Sequence, residues 1–320
     1  MDNWRNGILG VVVGDALGCP VQFKSREEVR KNEVTDMRGH GTFDLPKGSW
    51  TDDSSLTLAT LDAILEDGNI TVSHVARNFL LWLQNGKYTP YGYAYDIGNG
   101  CYDGIMAYKA TGWPMSGGTS VDNNGNGSLM RIMPACIYCA TQVKDTDMAI
   151  SLVQDVSKIT HAHMRAQIAC GIYYFIVNEI INDKDFLDDA IQTGIHKAFA
   201  YYIGEKELSY YIRIENISKF KETPESEIRS SGYVVDSLEA SIWCLINTSS
   251  YKDAVLKAVN LGGDTDTIGA ITGGLAGLYY GFAPIIDTKT GIPYEWVKAL
   301  QNSKWIYDLC TEADRRFGAM

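Results

Sequence analysis

Two acidic motifs carry the most chemical potential in this chain: Thr51-Asp52-Asp53-Ser54 and Gly262-Gly263-Asp264-Thr265-Asp266-Thr267. Each joins two carboxylates to hydroxyl groups, and each precedes an apolar, helix-like run. Brought together, four carboxylates would share one small volume. Like charges that close stay ionised only with a cation among them. A donor set made of oxygens suits Mg²⁺ or Mn²⁺ rather than zinc. Taken singly, each motif also reads as a helix cap, the first for a helix beginning near Leu56. A cap needs one acidic side chain, however, and a paired motif that occurs twice favours a metal site. Asp264 and Asp266 are two positions apart, so an extended loop sets them on one side, and the glycines before them permit a sharp turn. The twelve-residue spacing of an EF-hand is missing.

A third segment, Asp122-Asn123-Asn124-Gly125-Asn126-Gly127-Ser128-Leu129-Met130-Arg131, is a glycine-asparagine loop opening an apolar helix. Backbone N–H groups at such a place make a cradle for phosphate, and a plain turn is the simpler alternative. No Gly-Lys-Ser/Thr follows, so it is not a Walker A loop. Thr160-His161-Ala162-His163 lacks the third His or Cys that zinc would need, so His161 reads as a hydrogen-bonding residue. His40, His74 and His196 read as surface or packing residues.

The elements that must position these groups are helical. Val72, Val75, Ala76, Phe79, Leu80 and Leu83 form one face of a helix closed by Gly86. Leu152, Val153, Val156 and Ile159 repeat the pattern after Asp145 and Asp147. Ile168, Ile172, Phe175 and Ile176 follow, then Val234, Val235, Leu238, Ile242 and Leu245. No alternating run with a hairpin turn competes. The expected fold class is therefore all-α. Gly269, Gly273, Gly277 and Gly281 recur every fourth position and predict a bare strip that lets a neighbouring helix come close; Gly7, Gly10, Gly14 and Gly18 do the same near the N-terminus. Each glycine costs a helix about 1 kcal/mol relative to alanine, so such strips predict tight central packing. Residues 219–231 read as a polar surface loop rather than a boundary, and residues 1–320 as one domain.

The net charge of −11 leaves no basic stripe to collect phosphates, which argues against a nucleic-acid or anionic-membrane partner. Seven cysteines, an odd number in mostly apolar surroundings, predict reduced thiols and a cytoplasmic protein. Cys136 and Cys139 lack a second pair for a zinc ribbon and read as core residues of a buried helix over 132–140. The uncharged run from Ile268 to Ile286 holds glycines, Thr272 and Pro284, and predicts a buried helix rather than a lipid span.

In order along the chain, these pieces resemble the ADP-ribosylglycohydrolase family, which includes the dinitrogenase-reductase-activating glycohydrolase. The resemblance is carried by Gly14-Asp15-Ala16-Leu17-Gly18-Cys19-Pro20, Gly48-Ser49-Trp50-Thr51-Asp52-Asp53-Ser54, Asp96-Ile97-Gly98-Asn99, Gly125 to Arg131, Thr160-His161, Ser231-Gly232-Tyr233 through Ala240, and Asn260 to Thr267. It spans about residues 5 to 285. It implies a compact single-domain multi-helix bundle with a central dinuclear metal cleft holding two Mg²⁺ (or Mn²⁺). By the same resemblance, Thr51, Asp52, Asp53, Asp264, Asp266 and Thr267 hold the ions, and Asp52 or Asp53 serves as catalytic base. Asn123, Asn124, Gly125, Asn126, Gly127, Ser128 and Met130 contact phosphate, and His161 the distal ribose or phosphate. Asp96, Gly232 and Tyr233 line the cleft.

The implied activity is hydrolysis of the bond between ADP-ribose and a modified protein side chain, arginine first. Serine-linked or other 1″-substituted ADP-ribose is the alternative substrate. One position departs from the pattern: the substrate-binding position Gln22 stands where many members carry a Glu that helps bind metal or activate water. An amide cannot act as a base, so a non-catalytic ADP-ribose-binding protein is a further alternative. The expected partner is an ADP-ribosylated protein or ADP-ribose derivative, and the chain is expected to be a monomer.

Overall fold

The computed structural model describes residues 2–182, 186–283 and 289–318. Among them, the first half of the chain forms α1 (Asn3–Gly18), α2 (Arg26–Lys31), α3 (Asp52–Asp67), α4 (Val72–Asn85), α5 (Asn99–Thr111), α6 (Met133–Gln142) and α7 (Thr146–Lys158). The second half forms α8 (Met164–Asn182), α9 (Leu187–Tyr201), α10 (Ile217–Lys221), α11 (Val234–Ile246), α12 (Tyr251–Val259), α13 (Thr265–Tyr280), α14 (Tyr294–Ala299) and α15 (Ser303–Phe317). No strand forms among the described residues; two isolated bridges, Gly118 with His161 and Gly125 with Tyr233, are the extended pairings present.

The expected all-helical fold is what the chain adopts. The stripe of α4 buries Val75, Ala76 and Phe79, and Gly86 ends the helix in the left-handed conformation that glycine adopts without steric cost. Asp145 caps α7 by accepting from the Met148 N–H at 2.8 Å.

The two glycine strips face each other. A β-carbon on Gly10 would stand 2.2 Å from the Gly273 carbonyl oxygen, and one on Gly14 would stand 2.0 Å from that of Gly269. One on Gly18 would reach within 2.3 Å of the Thr265 oxygen. Helices α1 and α13 therefore pack backbone to backbone, and they run antiparallel. Gly281 is an exception to the expected strip: it lies past the helix with φ +76° and ends it. The antiparallel pairing sets the last turn of α1 against the first turn of α13. Residues more than two hundred positions apart thereby meet, and Thr265 Oγ1 donates to the Gly18 carbonyl at 2.8 Å to close the junction.

Three expectations need correction. Residues 219–231 are not a plain loop: α10 extends to Lys221, a 3₁₀ turn covers Glu225–Glu227, and Phe220 and Ile228 are buried as anchors. The glycine-asparagine loop does not open directly onto a helix. A 3₁₀ turn at Leu129–Arg131 intervenes, and α6 starts at Met133 with Pro134 in its first turn. The uncharged run stops being helical at Tyr280, and its residues 284–286 lie outside the described residues. No helix among the described residues is long and apolar enough to cross a membrane. All seven cysteines are free and buried, Cys136 and Cys139 within α6.

Candidate active site

A cavity of about 360 Å³ opens where α1, α3 and α13 meet. Its volume falls in the usual range for small-molecule sites. Its wall combines a carboxylate part, with Gln22, Asp52, Asp53, Asp96, Asp264 and Thr267, and a glycine-rich part, with Gly100, Gly125, Asn126, Gly127, Met130, His161 and Gly232.

The carboxylate end is built by a helix start whose cap comes from elsewhere. α3 begins at Asp52, not near Leu56, and its N-cap Thr51 makes no side-chain cap bond. Asp15, a lone acid in the apolar α1, takes that role. Its carboxylate accepts from the Thr51 and Ser54 N–H groups at 3.0 Å, and from both hydroxyls. Asp52 and Asp53 are thereby free to face the cavity. Sequence reading assigned Asp15 no role; its charge in an otherwise apolar helix was the available signal. On the opposite side, Gly262 and Gly263 have φ of +72° and +75° and turn the chain into α13. The Asp264 side chain makes no cap bond within its own helix; its Oδ2 accepts instead from Asn126 Nδ2 at 2.7 Å.

The electrostatics are one-sided. Burial, and then the charge of neighbouring carboxylates, pushes Asp52, Asp53 and Asp266 well above the usual carboxylate range. Burial raises Asp96 too, although Asp266 and Gln22 lie within hydrogen-bonding reach of it. A contact between two carboxyls needs a shared proton or a cation. Burial pushes Asp15 up to about 7 despite its donors. Asp53 Oδ1, Asp96 Oδ2, both Asp266 oxygens and Gln22 Oε1 are buried without a hydrogen-bond donor. Buried acceptors without donors are what a hard cation satisfies. The donor set therefore fits a divalent ion, although among the described residues no three His, Cys, Asp or Glu side chains form a ready-made coordination cluster.

The glycine end is clamped from two sides. Asn126 N–H donates to the Gly232 carbonyl at 3.0 Å, and Val234 N–H to the Asn124 carbonyl at 3.0 Å. His161 Nε2 looks across at Gly100, where a β-carbon would come within 2.8 Å. Its Nδ1 lies 2.8 Å from Thr160 Oγ1, which accepts from Arg131 Nη2 at 2.7 Å. Arg131 is fully buried over the Phe79 ring and has no ion-pair partner among the described residues. Its charge disfavours an Nδ1–H dipole pointing toward it, so the Thr160 hydroxyl donates to Nδ1 and Nε2 keeps the ring proton. Burial and Arg131 lower the imidazole pKa to about 3. His161 is thus a neutral hydrogen-bond donor facing the cavity.

Several expected residues lie outside the cavity wall. Thr51 and Asp266 sit behind it: Thr51 hydrogen-bonds to Asp15, and Asp266 lies against Asp96. Asn123 turns back to the Ser120 N–H and hydroxyl, and Asn124 donates to the Val121 carbonyl. Ser128 points into the core toward Ser157, 2.9 Å away. The Tyr233 hydroxyl accepts from Arg165 at 2.9 Å, which turns its ring toward α8. Cavity residues that the sequence gave no site role are Phe23, Ile97, Gly98, Asn99, Gly100 and Cys101.

The chain is similar in sequence and fold to known proteins. Residues 1–319 match the family model described as ADP-ribosylglycohydrolase. The chain is 30% identical over 312 residues to the ADP-ribosylarginine hydrolase Tri1 of Serratia proteamaculans (strain 568), covering 98% of this chain and 79% of that protein. It is 29% identical over 304 residues to the ADP-ribosyl-(dinitrogen reductase) glycohydrolase of Rhodospirillum rubrum, covering 93% and 90%. A solved structure described as an ADP-ribosylglycohydrolase-related protein complex matches with a TM-score of 0.78 at 28% identity, covering 98% of each chain.

Proposed function

Because this chain belongs to the ADP-ribosylglycohydrolase family, we propose that it hydrolyses the bond between ADP-ribose and a modified arginine side chain with the help of divalent metal, two Mg²⁺ or Mn²⁺ ions in our reading. The observation that carries this is the presence of a carboxylate cluster and a glycine-rich wall in one cavity, joined where Asn126 donates to Asp264. Arginine is favoured as the leaving group because Tri1 bears the name of an ADP-ribosylarginine hydrolase.

In this reading the diphosphate rests on the Gly125–Gly127 backbone, and the His161 Nε2–H donates to a phosphate or ribose oxygen. Asp52, Asp53, Asp264 and Asp266, with the Thr51 and Thr267 hydroxyls, would hold the metal. Bound there, metal would hold the ribose hydroxyls and acidify the attacking water, while the surrounding carboxylates offset the positive charge that develops at the anomeric carbon. Asp53 takes the proton of the attacking water through its unpartnered Oδ1. As the water oxygen bonds to the anomeric carbon, the carbon–nitrogen bond breaks with its electron pair going to the guanidine, which takes up the proton that Asp53 received from the water. Gln22 keeps its place beside Asp96 but cannot accept a proton, so the base role falls to Asp53. A single domain over residues 1–320, a monomeric state and a cytoplasmic setting belong to the same proposal, the last of them supported by seven free buried thiols.

The test is release of ADP-ribose from arginine-modified protein with and without Mg²⁺. Asp53→Ala and Asp266→Ala should lower turnover by at least 10³, about 4 kcal/mol of transition-state stabilisation, with the helical circular dichroism unchanged. Full turnover in EDTA, or in either variant, would refute the scheme.

A further inference from the structure

An aromatic wall stands at the carboxylate end of the cavity, and nothing in the reaction scheme above uses it. Phe23 lines the cavity, yet the residue is 67% exposed. Its φ of +65° lies in the left-handed region, which is unfavourable for a residue with a side chain. The backbone holds it there: Phe23 N–H donates to the Gly263 carbonyl at 2.8 Å, and Gly263 N–H donates to the Lys24 carbonyl at 2.8 Å. Phe23 is therefore fixed one residue from the Asp264 turn.

Other rings continue the wall. Phe43 lies 6.5 Å from Phe23 and 6.0 Å from Tyr95, while Tyr93 lies 6.0 Å from Tyr95 and 6.2 Å from Tyr91. Tyr95 donates its hydroxyl to the Trp50 carbonyl, and the Tyr91 hydroxyl meets Ser49 Oγ at 2.5 Å. Those bonds anchor the rings to the segment that leads into Asp52 and Asp53. Tyr93 is 54% exposed at the outer edge.

We propose that this wall, with Phe23 at its inner edge, recognises the guanidinium of the arginine that carries ADP-ribose. The inference rests on the arginine reading above and names the residues that would select it. With the diphosphate on the glycine wall and the ribose at the carboxylates, the leaving group emerges at the carboxylate end, where the rings stand. The adenosine extends the other way. A planar cation suits both neighbours: ring faces attract it through their quadrupoles, and Asp96 lies next in sequence to Tyr95. A cation held at an aromatic face adds binding shared by substrate and transition state, so it acts on KM more than on kcat.

The experiment compares Phe23→Ala, Phe23→Tyr and Tyr93→Ala with wild type in two assays: steady-state release from an arginine-ADP-ribosylated peptide, and calorimetric binding of free ADP-ribose. Phe23→Ala should raise the peptide KM about three- to thirtyfold while the ADP-ribose Kd stays within about twofold. Phe23→Tyr should restore the wild-type KM. Tyr93→Ala should raise KM by a smaller factor, and it keeps the test open if Phe23→Ala fails to fold. An equal loss in both assays would assign the wall to adenine and overturn the proposal, as would an unchanged KM in both alanine variants. A wild type that binds ADP-ribose yet releases none from arginine would refute the arginine reading itself, a result distinct from normal turnover with an unaltered variant KM.

Discussion

Thr160→Val tests the hydrogen-bond chain that sets the His161 tautomer. Valine matches threonine in shape, so the change removes one hydroxyl from a buried site without opening a cavity. Arg131 then loses its 2.7 Å partner and keeps only the Val156 carbonyl at 3.3 Å, with Nε already unpartnered. His161 Nδ1 loses its donor at 2.8 Å. A hydrogen bond to a charged group contributes roughly 1.5–3 kcal/mol, and an orphaned buried acceptor costs about 1–3. The expected loss of stability is therefore about 3–5 kcal/mol, or on the order of 10 °C in Tm. ADP-ribose affinity should fall about tenfold, since the ring proton is no longer confined to Nε2. Denaturant unfolding and calorimetry measure these effects, and ¹⁵N spectra of the His161 ring identify the protonated nitrogen directly. Thr160→Ser, which keeps the hydroxyl, should behave nearly as wild type. A wild-type ring protonated on Nδ1, or a Thr160→Val protein of unchanged stability and affinity, would refute the tautomer argument.

The cleft carboxyls make a pH prediction. Asp15, Asp52, Asp53, Asp96 and Asp266 all hold protons to higher pH in the folded chain than their ordinary value of 3.8. Their contribution is full below that value and is lost as pH rises through the folded one, about 7 for Asp15. His161, lowered from 6.5 to about 3, acts in the opposite sense and loses stability as pH falls. Five groups outweigh one, so Tm of the metal-free protein should drop between about pH 4 and 7. Saturating Mg²⁺ or Mn²⁺ should flatten that slope, and an identical slope with and without cation in calorimetric scans would count against the metal site. Gly14→Ala should destabilise by more than about 3 kcal/mol, because the new methyl meets backbone rather than a movable side chain. Thermal melts followed by circular dichroism measure this, and a wild-type midpoint would contradict the close helix approach.

Much of the fold was legible because burial leaves a period in the sequence. The Val75, Ala76 and Phe79 stripe needed no tertiary knowledge, nor did the fourfold spacing of Gly269, Gly273 and Gly277. The acidic motifs were legible as chemistry, since paired carboxylates have few other uses. Partnerships were not legible. That the two glycine strips face each other is a fact of contact, not of either segment. The start of α3 is hidden in the sequence because its cap, Asp15, belongs to a different helix. Tyr233 and Ser128 carry suitable chemistry in suitable motifs, but the direction of a side chain depends on neighbours such as Arg165 and Ser157. The aromatic wall left no periodic trace because Phe23, Phe43 and the three tyrosines sit in irregular segments outside any regular helix.

The backbone-to-backbone seam between α1 and α13 also sets when the enzyme can first exist. During synthesis the N-terminal helix emerges long before its partner, and its glycine ridge has nothing to lie against until residues 265–280 leave the ribosome. Contacts so distant in sequence close late. A nascent chain short of that point holds Asp52 and Asp53 but no opposing acids, and therefore no pocket in which to capture a nucleotide.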